Sequence, residues 1–364
     1  MNEKTQSHQD YRQPPEWDKH EGTWLQWPLE KLEKNYQLKL EHTWLMMAEV
    51  LHQHENVHII VNDMAHRDHV AHMLAYYGIG PQNIELHVIP IDDVWIRDNG
   101  PIFVVNDAGE LAITNWIFNG WGERFPYARD DKVPAAVGEA LSVPIFDAPL
   151  VLEGGALSVN GKGTLLATLT SIVDPYRNPG KSQAEIEEIL GQYLGLTHFI
   201  WLTGAGRGEC EKWGDTTDSH IDIVARFTDE STVLYNWIDE ESDPRHEFLV
   251  RSLEELQAAT TESGEPLTLV PLPSPQNGVY AISATSSWRT SALTDAAYTN
   301  YYVANGVVLV PVFGNVNDAH AKAIVGEHFP GRDIVGIDAV TLTEGGGAIG
   351  CVTQPQPFAR CDDS

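Results

Sequence analysis

The feature that most constrains this chain is a recurring order of strand, turn and helix in which the turns carry glycine with Asp, Glu or His. Such turns fall at 21–27, 92–101, 153–163, 215–222 and 344–351, at broadly similar intervals. Between them, short apolar runs alternate with amphipathic stretches. Residues 38–54 have helical spacing and precede VHIIV at 57–61; residues 68–77 precede IELHVIPI at 84–91. KVPAAVGEAL, SQAEIEEILGQYLG, PRHEFLVRSLEELQAAT and AHAKAIVGEHF read as further helices, and Ser182 with Glu185 three residues on has capping-box spacing. No Ser/Gly linker or low-complexity block divides the chain. This pattern predicts a radial repeat of α/β modules around one centre, which would bring turns remote in sequence together.

Charge narrows the partners. The 364 residues hold 23 Lys and Arg against 52 Asp and Glu, a formal net charge of −29. That field repels phosphate backbones and anionic lipid and draws in small cations, so neither nucleic acid nor a membrane is expected as a partner. The composition, 42% hydrophobic with 11 Trp, is that of a globular chain able to bury a large core. Cys210, Cys351 and Cys361 are odd in number and irregular in spacing, which suggests neither a disulfide framework nor a zinc ribbon. The N-terminus has no apolar signal-like core, and no stretch approaches the ~18 apolar residues of a membrane span. A cytoplasmic setting is the expectation, with a flexible segment at 1–15, a single catalytic domain at 16–358 and a tail at 359–364. Homo-oligomer formation is left open.

Four constellations carry chemistry. DDVWIRDNGP at 92–101 places Trp95, Arg97 and Asp98 at the mouth of apolar runs, where carboxylates need partners. In SHIDIVARF, read as an extended chain, His220 and Asp222 point to one face, an arrangement suited to acid/base work and equally to half a metal site. Glu153 stands before Gly154 and Gly155 at a strand end and by itself reads as a surface hairpin residue. Cys351 follows EGGGAIG, and a thiol there becomes a nucleophile only if a positive charge reaches it across the fold, with His220 the candidate. Cys210 and Cys361 have no evident helper. A thiol among acids points toward a planar cationic ligand, since carboxylates hold a guanidinium by paired hydrogen bonds.

The stretches PPEWDKHEGTWLQWP, DDVWIRDNGP, LEGGALSVNGKGTLLAT, RNP at 177–179, SHIDIVARF, ANGVVLVPVF and GGGAIGCVTQPQP, in this order, resemble the agmatine deiminase and bacterial-type peptidylarginine deiminase family. The resemblance implies the pentein fold, a five-bladed α/β propeller, and hydrolysis of a small cationic guanidine substrate to a ureido product and ammonia, with no metal or organic cofactor. It implies Cys351 as nucleophile, His220 and Asp222 as the paired acid/base and carboxylate, and Asp98 as the substrate-gripping acid. Trp95 and Glu153 match pocket positions, and Gly346 a backbone contact near the nucleophile. Two departures stand out. The family's usual GGNIHC is here Gly346-Gly347-Ala348-Ile349-Gly350-Cys351, and its usual Gly before the histidine is Ser219. Agmatine is the expected substrate, with peptidylarginine or another alkylguanidine as the alternative. The rivals of other classes are a metal-dependent hydrolase on His220, Asp222 and Asp98, which leaves Cys351 unused, and a non-catalytic binder of cationic ligands.

Overall fold

In the computed structural model, which describes residues 7–29, 34–280 and 293–359, the alternation becomes five small sheets. One unit recurs: an antiparallel pair, then a helix that returns the chain to a parallel third strand. Ser158–Val159 pairs antiparallel with Thr164–Thr168, and the helix Gln183–Leu194 leads to the parallel His198–Leu202. Ala225–Phe227, Thr232–Trp237 and Thr268–Pro273 repeat this around the helix His246–Ala258. Tyr302–Ala304, Val307–Val312 and Asp333–Asp338 repeat it around Asp318–His328. Parallel neighbours need such a crossover, and strands covered on both faces read as nearly unbroken apolar runs, as VVLVPV does. Helix ends follow local chemistry: the Ser182–Glu185 capping box forms in both directions, and Gly195 ends that helix in the left-handed region.

The remaining two sheets have four strands each. Ile102–Asn106, Leu111–Ile117 and Ile145–Val151 gain Tyr11–Arg12 as an outer strand, so part of the stretch expected to be loose is paired backbone. The sheet of His20–Gln26, Asn56–Val61 and Ile84–Val88 is completed by Gln354–Pro357 from the opposite end of the chain. Both ends of the sequence thus build one blade, and this closes the propeller. Closure also explains why a thiol stands so near the C-terminus: Cys351 occupies the turn that feeds the closing strand. Cys361 lies outside the described residues.

Two expectations change. The stretch 21–27 lies, but for Trp27, in the strand His20–Gln26, nearly all buried, and is not a turn. Gly22 is there because a Cβ would meet the Asn56 carbonyl oxygen of the next strand at 2.6 Å, so the glycine marks close backbone approach. The fifth axial turn lies instead ahead of Tyr302–Ala304 and contains Asn300. Likewise SHIDIVARF is a strand only from Ala225; Ile221–Ile223 is a 3₁₀ turn, so His220 and Asp222 do not share a strand face. Among the described residues, no helix is long and apolar enough to cross a membrane.

Because Gly22 is flanked on one side by Asn56 and on the other by Gln356 of the closing strand, Gly22→Ala strains the closure itself. Overpacking of this kind costs about 1–3 kcal/mol. The expected outcome is a lower midpoint of urea unfolding with unchanged denaturant slope; an unchanged midpoint would show that the blade absorbs the methyl group.

Candidate active site

Four of the five first strands are preceded, within five residues, by a short helical turn, and Asn300 precedes the fifth. These turns carry Asp98 in Ile96–Asn99, Glu153 capping Gly154–Ala156, Asp222 in Ile221–Ile223 and Cys351 in Gly350–Val352. All of these side chains are buried. Radial repetition therefore delivers at least one polar residue per blade to the axis, with His220 joining Asp222 from the same turn.

The contacts form a connected set. His220 Nε2 donates to Glu153 Oε2 at 2.9 Å, and its Nδ1 lies 3.5 Å from Asp98 Oδ1. Asp98 is fixed by the Trp121 indole N–H at 2.8 Å and the Gly155 N–H at 3.0 Å. A Cβ on Gly155 would stand 2.7 Å from Asp98 Oδ1, 2.7 Å from His220 Nδ1 and 3.1 Å from Asp222 Oδ2, so only glycine lets the three groups converge. The Cys351 thiol lies 3.8 Å from Asp222 Oδ2, making Asp222 its described partner where the sequence pointed to His220. Trp95 stands across from the thiol: a Cβ on Gly347 would meet its ring at 2.6 Å and Cys351 Sγ at 3.0 Å. Gly346 has φ +103°, which turns the chain toward Gly347 in a conformation other residues resist.

Electrostatics follow from burial. Burial opposes a charge on His220, but Asp98 and Glu153 outweigh it and raise its pKa to about 9. Burial raises Asp98 and brings Asp222 to about 6, with His220 pulling both the other way. Burial, then Asp222 and Asp98, hold the Cys351 proton on well above the usual thiol range. Against the penalty of burial, Arg177 and His220 keep Glu153 below its ordinary value. Asp222 Oδ1 and His220 Nδ1 are buried with no hydrogen-bond partner among the described residues. Asp222 thus keeps one acceptor open to a further donor.

Several supporting residues escape sequence reasoning. Asn300 donates to Asp222 Oδ2 at 3.0 Å, accepts the Cys351 N–H at 3.2 Å through its side chain and takes the Gly350 N–H at 2.9 Å on its carbonyl. It thereby clamps acid and thiol together, and its only sequence signal is a position ahead of a strand. Arg177, quoted only within a motif, is fully buried and donates its Nε–H to both oxygens of Glu153 at 2.9 and 2.7 Å. Glu153, which alone read as a surface residue, is fully buried beneath His220. Below the site, Arg97 donates to the Gly350 carbonyl at 3.0 Å and is tied, with Arg226, to Glu16 of the N-terminal segment. Burial works against that carboxylate, but the two guanidiniums hold its pKa down to about 2.

The departures acquire structural meaning. Ser219 has φ +66°, where glycine is usual, and compensates with a hydroxyl that bridges the Ala205 N–H and carbonyl at 3.1 and 3.0 Å. Gly350 faces the Asn300 amide, which a Cβ would approach to 3.1 Å. Cys210 is fully buried, and burial followed by neighbouring acids drives its pKa far up, in keeping with an inert thiol.

Comparison with known proteins is consistent along the whole chain. The family described as Porphyromonas-type peptidyl-arginine deiminase matches residues 12–357. A Streptomyces coelicolor protein named "Putative agmatine deiminase" is 36% identical over 356 residues, covering 95% of this chain and 99% of its own. The solved agmatine deiminase of Enterococcus faecalis superposes with a TM-score of 0.86 at 28% identity, covering 96% of both chains. A C. jejuni agmatine deiminase, solved as a cysteine-to-serine variant with substrate bound, gives a TM-score of 0.82 at 25% identity, covering 96% of this chain and 97% of that one. The chain therefore belongs to the Porphyromonas-type peptidyl-arginine deiminase family and carries its five-bladed α/β propeller, the pentein fold.

Proposed function

We propose that this chain hydrolyses a guanidinium group to a ureido group and ammonia through a covalent intermediate on Cys351, with agmatine as substrate and N-carbamoylputrescine as product. The observation that carries the reading is the convergence of buried acids on His220 and the thiol. Asp98 and Asp222 are both raised by burial, Asp222 Oδ2 meets Asp98 and His220 over Gly155, and Asp222 Oδ1 has no described partner. A planar cation with several N–H donors completes such a set. Its positive charge also opposes the acid field that keeps Cys351 protonated, so seating the substrate promotes thiolate formation.

The steps balance as follows. Cys351 gives its proton to solvent as the cation seats, and the thiolate forms an S–C bond to the guanidinium carbon while the C=N π pair moves to nitrogen, giving a neutral tetrahedral adduct. The C–N bond to one terminal nitrogen breaks while His220 as imidazolium gives that nitrogen a proton, and ammonia leaves an S-alkylthiouronium. Neutral His220 then takes a proton from water as its oxygen attacks the same carbon, and the C–S bond breaks to return the thiolate as the added hydroxyl releases its proton to solvent and leaves the ureido C=O. Glu153 holds His220, and Trp95 packs the substrate's aliphatic spacer. Positioning and one acid/base group are the two terms invoked, the second worth ~10²–10⁴-fold.

Agmatine is favoured over an arginine peptide because it is a small dication, suited to an acidic site in which Cys351 is 4% exposed and His220 1%. Two of the relatives above carry agmatine deiminase in their names without qualification. Ammonia release should be fastest per active site with agmatine, slower with free arginine and slowest with an arginine peptide, and absent in Cys351→Ala. Preference for the peptide would move the substrate to the alternative; activity in Cys351→Ala would remove the nucleophile.

The same groups set a pH profile. Asp222 must be ionised to hold the cation, so kcat/KM falls as pH drops through about 6. His220 must be protonated to release ammonia, so kcat/KM falls again as pH rises through about 9. Because burial and the neighbouring acids hold the Cys351 proton on in the free enzyme, kcat/KM climbs between these limbs toward a maximum near the upper one. Activity still climbing well past pH 9 would show that imidazolium is not the acid.

A further inference from the structure

The outer strands of the closing blade bring together a second group of ligating side chains, away from Cys351. His58 and Glu85 are direct partners across the parallel pair Asn56–Val61 and Ile84–Val88, and His87 follows two residues later on the same face. His58 Nδ1 lies 3.1 Å from His87 Nε2, and Glu85 Oε2 lies 3.6 Å from each of them. An ion bound tetrahedrally at about 2.0–2.2 Å holds its ligand atoms about 3.3–3.6 Å apart, so these three atoms already stand close to the required spacing.

The surroundings prepare the same geometry. His58 Nε2 pairs with Glu21 Oε2 at 3.1 Å, and the other Glu21 oxygen takes the Asn56 amide at 2.6 Å. A carboxylate on the far nitrogen fixes a metal-binding histidine as the tautomer whose lone pair faces the ion. Trp24 packs against both imidazoles, 4.5 Å from His58 and 4.6 Å from His87, and is itself anchored to Gln356 at 2.7 Å. The His58 side chain is 5% exposed, His87 18% and Glu85 69%, so the cluster opens to solvent through Glu85 and leaves room for water as a fourth ligand.

We propose that His58, His87 and Glu85 form a binding site for a divalent transition-metal ion, with Zn²⁺ as the ion it suits best and Glu21 as the residue that orients His58. Two imidazoles and one carboxylate select against Mg²⁺ and Ca²⁺, which take oxygen ligands, and a tetrahedral set favours Zn²⁺ over Ni²⁺ or Cu²⁺. In the metal-free protein a proton shared between the two ring nitrogens accounts for their contact, and the ion takes its place. The role is structural: the ion pins the outer strand Ile84–Val88 to its neighbour in the blade that holds the C-terminal strand. The deimination chemistry does not use it.

The test uses the full chain as Cys351→Ser, so that the axial thiol cannot take metal, after removal of metal with a chelator. Calorimetric titration with zinc chloride should give one site per chain and a raised melting temperature, and Co²⁺ should give the visible absorption of a low-coordinate site. On this background Glu85→Gln and His87→Ala should each lose at least 100-fold in affinity while folding normally without metal. Glu21→Gln should weaken binding by about 10–100-fold. Absence of saturable zinc binding in the parent, or unchanged affinity in either Glu85→Gln or His87→Ala, overturns the site.

Discussion

The active centre depends on one buried guanidinium. Arg177 grips both oxygens of Glu153 and reaches Asp218 at 2.7 Å, and Glu153 in turn orients His220. An unpaired charge at such depth costs several kcal/mol, so each member of this chain is tolerated only because the next is present. Arg124 shares the load by binding both oxygens of Asp218 at 2.6 and 2.9 Å. The result is a rigid base for an imidazolium whose charge faces Asp98 and Asp222. Cations offset the acids beneath the histidine, whereas burial, Asp222 and Asp98 dominate at the Cys351 thiol.

The propeller supplies the geometry at little cost in local complexity. Each blade needs only a short turn before its first strand, and five turns around one axis yield two acids for a cation, a third for the histidine, an amide and a thiol. Asn300 is the least conspicuous of these and among the most connected, since it holds Asp222 and the Cys351 backbone together. The stretch around Glu16 ties two of the nearby guanidiniums together. Glu16 joins Arg97 and Arg226, and Arg97 supports the carbonyl of Gly350 beside Cys351.

Much of this was legible in the sequence because periodicity and punctuation act locally. The helices around 38–54 and 183–194, the Ser182–Glu185 cap and the apolar strands followed from spacing alone. Asp98, Glu153, Asp222, His220 and Cys351 could be named because acids, imidazole and thiol are scarce on glycine-rich turns and match family motifs. The misreadings share a cause. Gly22 reads as a turn residue yet relieves contact with Asn56, and a backbone clash between strands has no local sequence signature. His220 and Asp222 were placed on a strand face because IDIVARF is apolar and β-branched, yet the need to reach the axis bends that segment into a turn. Asn300, Arg177 and Glu16 act through partners 50 or more residues away in most cases, and long-range pairing is what a single sequence conceals.

The central claim is that Cys351 belongs to a receptor for planar cations. A chloroacetamidine, cationic and flat like a guanidinium, should alkylate the protein once, at Cys351 as located by peptide mass, far faster than the neutral chloroacetamide of the same shape, and agmatine should protect. Equal rates for the two reagents, or labelling at Cys210 or elsewhere with Cys351 untouched, would contradict the account.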